Sequence, residues 1–255
     1  MIQSNQLTSN SSKLPKIIHY CWFGNGNMPS LSIMCMQSWK KYCPDYKIVR
    51  WDESNFDINS NLYIKQAYES KKYAFVSDYA RLYILYNYGG IYMDTDVEVI
   101  KNLDQFLDHQ VFSGFESENY VPTGIIGANK YHSLIKDLMD IYQGLSFIKA
   151  DNTMDLTPNV VRITQYMINK YNLLTNNKLQ ILDNDVHIYP NNYFCPKTFT
   201  GINITNNTYT IHHFAGSWLT SRAKLEKHFK EIILGLLGAN NYNRLKKFKY
   251  EVSKK

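Results

Sequence analysis

The sequence predicts an α/β fold in which helices flank a central sheet, and two stretches carry that expectation. Between Lys16 and Trp51 an apolar run, a helical pattern and a second apolar run follow one another as a βαβ unit, which favours parallel strands. Between Asp78 and Val99 a helix closed by Gly89-Gly90 passes straight into another strand. At 255 residues and 44% hydrophobic content, the chain is long enough to bury one substantial core.

Met1 to Lys13 is polar and rich in Asn and Ser, without the basic and apolar stretches of a secretory signal, and reads as a disordered leader. Lys16 to Phe23, with Ile17, Ile18, Tyr20 and Trp22, is a buried strand closed by Gly24-Asn25-Gly26. Ile33, Met34, Met36 and Trp39 recur at near-helical spacing until Cys43-Pro44 stops them, and Tyr46 to Trp51 is the second strand. Asn61 to Lys72 suggests a helix. Ser77 offers an N-cap for the next, Asp78 to Tyr88, which leads into a strand from Ile91 to Val99. Further strands are expected at Val111–Phe115, Gly124–Ala128, Val186–Tyr189 and Tyr209–Phe214, with helices at His132–Gln143 and Pro158–Tyr171. This gives one domain over 14–221 and a basic amphipathic tail over 222–255.

The net charge of +6 does not belong to that domain. Ten of the 28 Lys/Arg and only three of the 22 Asp/Glu lie between Arg222 and Lys255, so the body is near neutral. That argues against nucleic acid as a partner of the body. The tail's Leu225, Phe229, Ile232, Ile233, Leu236 and Leu237 at helical spacing among lysines fit either a helix packed on its own domain or peripheral contact with an anionic membrane. Cys21, Cys35, Cys43 and Cys195 form no Cys-x-x-Cys pair, and with no export signal the expectation is reduced thiols in the cytoplasm, at most peripheral on the inner face of the plasma membrane.

Chemistry concentrates after Gly89-Gly90. On a continuous strand Tyr92, Asp94, Asp96 and Glu98 share one face, with successive carboxylates about 7 Å apart. A divalent ion held by one or two carboxylates and substrate phosphates relieves their repulsion, whereas a bare Asp-x-Asp elsewhere is most often a solvated strand end. The position, at the end of an apolar strand in an α/β sheet, is where such folds bind ligands. Asp78 and Arg81, three apart on a helix, share a face as well. They read either as a surface ion pair or as a carboxylate for ribose and a guanidinium for phosphate. Trp22 is either core or a stacking platform for a base. His212 and His213 point to opposite faces of a strand, so one of them reaches the carboxylates whichever way that strand is turned.

These motifs form a familiar series. Pro15-Lys16-Ile17-Ile18-His19-Tyr20-Cys21-Trp22-Phe23-Gly24, Ser77-Asp78-Tyr79-Ala80-Arg81, Tyr88-Gly89-Gly90-Ile91-Tyr92-Met93-Asp94-Thr95-Asp96 and His212-His213-Phe214-Ala215-Gly216-Ser217-Trp218 together resemble glycosyltransferase family 32. That family includes bacterial capsule and surface-polysaccharide transferases, yeast-type mannosyltransferases and, more distantly, the glucosylating domains of clostridial toxins. The resemblance implies a GT-A fold with a Rossmann-like mixed sheet, a Mn²⁺ or Mg²⁺ ion, a nucleotide-sugar donor and transfer with retention at the anomeric carbon. Carried over by position, Trp22 stacks on the base; Ser77, Asp78 and Arg81 hold base, ribose and sugar; and Tyr92 contacts the nucleoside. Asp94 engages ribose, sugar or a metal-bound water, Asp96 ligates the metal with His212, and Ser217 and Trp218 close over the diphosphate. His213 is the alternative imidazole. Where many relatives carry an Asn before a short apolar strand, this chain has Pro122-Thr123-Gly124-Ile125, which leaves open the group beside the reacting sugar.

The expected activity is transfer of a hexose or N-acetylhexosamine, with UDP the first choice of nucleotide, to a glycan or lipid-linked glycan in bacterial surface-polysaccharide synthesis. A protein-glycosylating effector is an alternative. A metal-dependent nucleotide phosphohydrolase uses the same Asp-x-Asp chemistry but leaves Trp22 and Ser217-Trp218 without a purpose. A carbohydrate- or nucleic-acid-binding module fits the 21 Tyr, 12 Phe and 4 Trp and the basic tail, and it predicts binding that needs no metal. No P-loop or dinucleotide glycine fingerprint is present.

Overall fold

In the computed structural model of the protein, residues 13–122, 124–198 and 201–216 are described. The leader up to residue 12, Thr123 and everything from Ser217 onward, the expected basic tail included, lie outside the described residues. Seven strands form the central sheet: β1 (Ile17–Cys21), β2 (Lys47–Trp51), β3 (Gly90–Met93), β5 (Val111–Gly114), β6 (Ile125–Ala128), β7 (Gln180–Leu182) and β8 (Val186–Tyr189). Their order is β2-β1-β3-β6-β5-β8-β7. A separate antiparallel pair joins β4 (Val97–Val99) to β11 (Thr210–His212), and β9 (Lys197–Thr198) pairs with β10 (Gly201–Ile202). β1 runs parallel to β2 and β3, and β5 runs parallel to β8. The contacts β3–β6, β5–β6 and β7–β8 are antiparallel, so the sheet is mixed as expected.

The helices are α1 (Ser30–Tyr42), α2 (Leu62–Glu69), α3 (Tyr73–Tyr88), α4 (Ser133–Asp140), α5 (Asn159–Tyr171) and α6 (Asn191–Phe194). They cover both faces of the sheet. One apolar cluster gathers Cys21, Tyr92, Ile126 and Ala128 from the sheet against Tyr63, Val76, Leu82, Leu138 and Ile163 of α2 to α5. The other gathers Ile18, Ile91, Met93, Phe112 and Ile125 against Trp39 of α1 and Phe194 of α6. Neighbouring residues of β1, β3 and β6 fall into opposite clusters, as period-2 alternation in a doubly covered sheet requires.

Two expectations need correction. Ser77 caps nothing: α3 begins four residues earlier, with Lys72 as its N-cap residue. Tyr73-Ala74-Phe75-Val76 brings Phe75 and Val76 into the core, and that burial extends the helix past the polar residue that local propensity would choose. Asp78 and Arg81 therefore sit in the second turn and beyond. The expected strand Ile91–Val99 is also interrupted, ending at Met93 and resuming at Val97. Between them Asp94 opens a tight turn and Asp96 lies within it, the Val97 N–H donating to the Asp94 carbonyl at 3.0 Å.

β1, β2 and β3 are tied together by His19. The Trp51 indole N–H donates to His19 Nδ1 at 3.0 Å, so Nε2 carries the proton and donates to the Gly89 carbonyl at 3.0 Å. Burial lowers the His19 pKa to about 4, in keeping with the neutral ring this pairing needs. Gly90 permits the approach of β3 to β1: its φ is +101°, and a Cβ there would lie 2.8 Å from the Ile17 carbonyl oxygen.

Candidate active site

After β1 the chain winds outward to β2, then returns through α2 and α3 to β3 on the other side of β1. The crevice outside the carboxyl ends of strands at such a reversal is where open α/β sheets take ligands. Trp22 directly follows β1 and Asp94 directly follows β3, and the β1–β3 register sets these two positions at the same end of the sheet.

The turn, rather than strand alternation, brings the carboxylates together. Asp94 N–H is held by the Gly124 carbonyl at 2.8 Å, and beyond the turn α1 grips β4, with the Trp39 indole donating to the Val97 carbonyl at 2.7 Å and Ser38 Oγ accepting from Val99 N–H at 2.9 Å. β11 pairs antiparallel with β4, opposing His212 to Val97. Asp94, Asp96 and His212 thereby each offer a ligand atom, all within 4.8 Å of one another, although His212 is more than a hundred positions away in sequence. His213 turns to the other side and meets Glu98 at 2.9 Å.

Asp96 is firmly placed. Its carboxylate accepts from Ala215 N–H at 2.7 Å, its carbonyl accepts from His213 N–H at 3.0 Å, and His212 Nε2 stands 3.4 Å from Oδ1. Burial pushes the Asp96 carboxyl up, but His212 and the Ala215 amide outweigh it and bring the pKa down to about 2. Burial likewise lowers His212, and Asp96 and Cys195 reverse this, so its pKa is raised well above the ordinary imidazole value.

Arg81 organises the other side of Asp94. Its guanidinium, 8% exposed, lies 3.0 Å from Asp78 Oδ1 and 3.2 Å from Asp94 Oδ1, and 4.7 Å above the Tyr92 ring. Tyr92 Oη in turn donates to Asp94 Oδ1 at 3.0 Å. This is a buried network and not the exposed ion pair that spacing alone allowed. Burial pushes the Asp78 carboxyl up to about 7 even with Arg81 pulling it down. Ser77 is half-buried beside it; its hydroxyl donates to the Tyr73 carbonyl at 3.1 Å and its carbonyl accepts from Arg81 Nε. Trp22 is half-buried, with Nε1 donating to the Gly26 carbonyl at 2.7 Å. Ser217 and Trp218 lie outside the described residues.

Glu116 joins this group without having been expected. It follows β5, its carboxylate is 4.0 Å from His212 Nδ1, and burial raises its pKa. The signal was an acidic residue directly after the apolar run Val111–Phe115, the same signature as Asp94. Gly124 forms the floor: a Cβ there would meet Val97 Cγ2 at 2.8 Å, Asp94 Oδ2 at 3.1 Å and His212 Cε1 at 3.3 Å. The donor set fits a divalent ion. Two carboxylates suit a hard cation, and the buried His212 Nδ1 has no hydrogen-bond partner.

Residues 29–113 match a family model described as the glycosyltransferase sugar-binding region containing a DXD motif, which bears out the resemblance drawn from the motifs. Inositol phosphoceramide mannosyltransferase 3 of Schizosaccharomyces pombe is 33% identical over 138 residues, covering 52% of this chain and 37% of that protein. The uncharacterized glycosyltransferase L373 of Acanthamoeba polyphaga mimivirus is 27% identical over 218 residues, covering 77% of this chain and 83% of that protein. The chain thus spans little more than a third of the first relative and most of the second. Among solved structures, the PaToxG glycosyltransferase has a TM-score of 0.44 at 19% identity, covering 62% of this chain and 70% of that chain. A glycosyltransferase involved in glycosylation of the major capsid of PBCV-1 has a TM-score of 0.41 at 12% identity, covering 85% of this chain and 100% of that chain.

Proposed function

Starting from a chain whose residues 29–113 carry the DXD sugar-binding region of the glycosyltransferases, we propose that this protein is a GT-A glycosyltransferase. It moves a hexose or N-acetylhexosamine from a nucleotide sugar, UDP-linked by first expectation, to a glycan acceptor with retention of configuration. The observation that carries this reading is the convergence of Asp94, Asp96 and His212 within 4.8 Å at the winding reversal between β1 and β3.

The residues take the following parts. Asp96 and His212, with Asp94, hold Mn²⁺ or Mg²⁺, and the mixed oxygen and imidazole set favours Mn²⁺. When bound, that ion neutralises charge on the leaving diphosphate. Arg81, locked by Asp78, fixes the orientation of Asp94 toward the donor and keeps its charge balanced in a buried setting. Tyr92 supports the same carboxylate, and the half-buried Trp22 offers a ring face to the base. By the resemblance, Ser77 and Asp78 reach the nucleoside and Ser217 and Trp218 cover the diphosphate. The acceptor hydroxyl attacks from the leaving-group side and passes its proton to the departing phosphate oxygen, so no side chain is assigned as general base.

The setting read from the motifs is bacterial surface-polysaccharide synthesis: capsule, O-antigen or exopolysaccharide. The mannosyltransferase relative, named for a phosphoinositol lipid, favours a lipid-linked acceptor for this chain as well. Such an acceptor fits a cytoplasmic enzyme that contacts the inner leaflet through 222–255; among the described residues no helix is long and apolar enough to cross a membrane. Incubation with UDP-sugars, Mn²⁺ and glycan acceptors should yield a product with the anomeric configuration of the donor. An inverted product, or acceptor-independent release of nucleotide and phosphate at full rate, would overturn this reading.

A further inference from the structure

His212 stands between two carboxylates and turns one ring nitrogen toward each. Nε2 is 3.4 Å from Asp96 Oδ1, and Nδ1 is 4.0 Å from Glu116 Oε1. Glu116 directly follows β5, whereas His212 ends β11, so only the folded chain brings the two together. Their side chains are 21% and 10% exposed, which leaves little water to reach the gap between them.

The neighbours of the ring fix this orientation. Phe214 stacks on it with centroids 4.2 Å apart and planes 27° from parallel, and adopts a left-handed backbone, φ +55°, that is rare for so large a residue. On another side Gly124 leaves room beside Cε1, where a Cβ would come within 3.3 Å. Nδ1 is buried and has no hydrogen-bond partner among the described residues.

Glu116 is anchored as well. Phe115 N–H donates to the Tyr189 carbonyl at 2.9 Å, and Glu116 N–H donates to the Tyr120 carbonyl at 2.8 Å, which closes the loop after β5. The far end of that loop is tied to α5, where Thr164 Oγ1 accepts from Val121 N–H at 2.9 Å and donates to the Val121 carbonyl at 2.8 Å. The backbone that carries the carboxylate is therefore set in advance, and only side-chain torsions remain to be adjusted.

An ion on Nε2 leaves the proton of a neutral imidazole on Nδ1, which then needs an acceptor. Ligating histidines donate that proton to a carboxylate, a carbonyl or water, and the bond fixes the tautomer and makes the ring a better ligand. Glu116 supplies such a carboxylate. Closing from 4.0 Å to a charge-assisted hydrogen bond of about 2.8 Å asks for a shift of roughly 1 Å. The Cys195 thiol also lies beside His212, but a thiol is a weak acceptor.

Resting on the reading of Asp94, Asp96 and His212 as a metal site, we infer that Glu116 is a positioning residue for it: its carboxylate accepts from His212 Nδ1–H and so aims Nε2 at the ion. Glu116 acts through His212, and its loss weakens the hold on the ion without removing a ligand.

Titration of Mn²⁺ into the full chain, with and without UDP and followed by the electron paramagnetic resonance of the free ion, tests this on the unaltered protein, Glu116→Gln, Glu116→Ala, Cys195→Ala and Asp96→Ala. Asp96→Ala should abolish binding, and Glu116→Ala should weaken it about 10- to 100-fold. Glu116→Gln, whose amide oxygen still accepts from Nδ1–H, should recover a large part of that loss. Binding within about twofold of the unaltered protein in Glu116→Ala, equal losses in the two Glu116 variants, or a loss confined to Cys195→Ala and Asp96→Ala overturns the inference and leaves the metal site standing. No Mn²⁺ binding by the unaltered protein overturns both. Should Glu116→Ala fail to fold, the ¹⁵N resonances of His212 in the unaltered protein loaded with diamagnetic Mg²⁺ decide: a proton on Nδ1 that shifts in Glu116→Gln supports the role, and a proton on Nε2 overturns it.

Discussion

His19 and His212 are both strand histidines nearly cut off from solvent, at 2% and 8% exposure, yet their partners give them opposite chemistry. His19 lies between an indole N–H and a backbone carbonyl, a pairing that a neutral ring satisfies completely. His212 faces the Asp96 carboxylate and leaves a buried nitrogen without a partner. Burial alone therefore does not mark a working histidine. What separates the two is whether the surroundings are complete without a further ligand: around His19 they are, and around His212 they are not.

The strongest way to break this comparison is at the carboxylates. Asp96→Ala should reduce sugar transfer by at least about a thousandfold, the equivalent of roughly 4 kcal/mol at the barrier, with the fold retained by circular dichroism. Arg81→Met should destabilise the protein by about 3 kcal/mol in denaturant titration, because it leaves Asp78 and Asp94 buried without their shared cation. A loss under 1 kcal/mol would show that the network is solvated.

His19 sharpens the other half. Its folded pKa lies below the ordinary value of 6.5, so the unfolded chain takes up a proton first as pH falls. The stabilisation is complete above about pH 6.5, is lost progressively between 6.5 and about 4, and amounts to about 3 kcal/mol. His19→Gln should flatten that part of the stability profile. At the floor of the site, Gly124→Ala should cost about tenfold in turnover and about 1–3 kcal/mol in stability, because its methyl meets the buried Val97 at 2.8 Å and presses on Asp94 and His212. Smallest of all, Ser77→Ala should change stability by well under 1 kcal/mol, less than loss of a helix cap, since α3 starts at Tyr73.

Much of this was legible in the order of residues. The βαβ start, the Gly89-Gly90 stop and the chemistry-bearing carboxylates follow from apolar periodicity and turn residues, because local interactions write those signals. The later α4 and α5 were legible too, and Pro158 and Asn172 bound α5 as its cap residues. Less was legible where tertiary burial outweighed local preference, as when Phe75 and Val76 drew α3 back past Ser77. The interrupted strand at Asp94 was missed because period-2 alternation and a tight turn both bring the two carboxylates to one side. Which histidine faces them depends on the pairing of β4 with β11, a contact between distant segments that no local pattern encodes. Glu116 and the short β7, β9 and β10 escaped for want of periodicity long enough to read.

Calorimetric titration of UDP, GDP and their common sugar conjugates, with and without Mn²⁺, into the unaltered protein and Asp96→Ala tests the central claim most directly. The account predicts that one nucleotide class binds, that binding needs Mn²⁺, and that Asp96→Ala abolishes it. Absence of nucleotide binding under every condition, or binding that survives both removal of the metal and loss of Asp96, would contradict it.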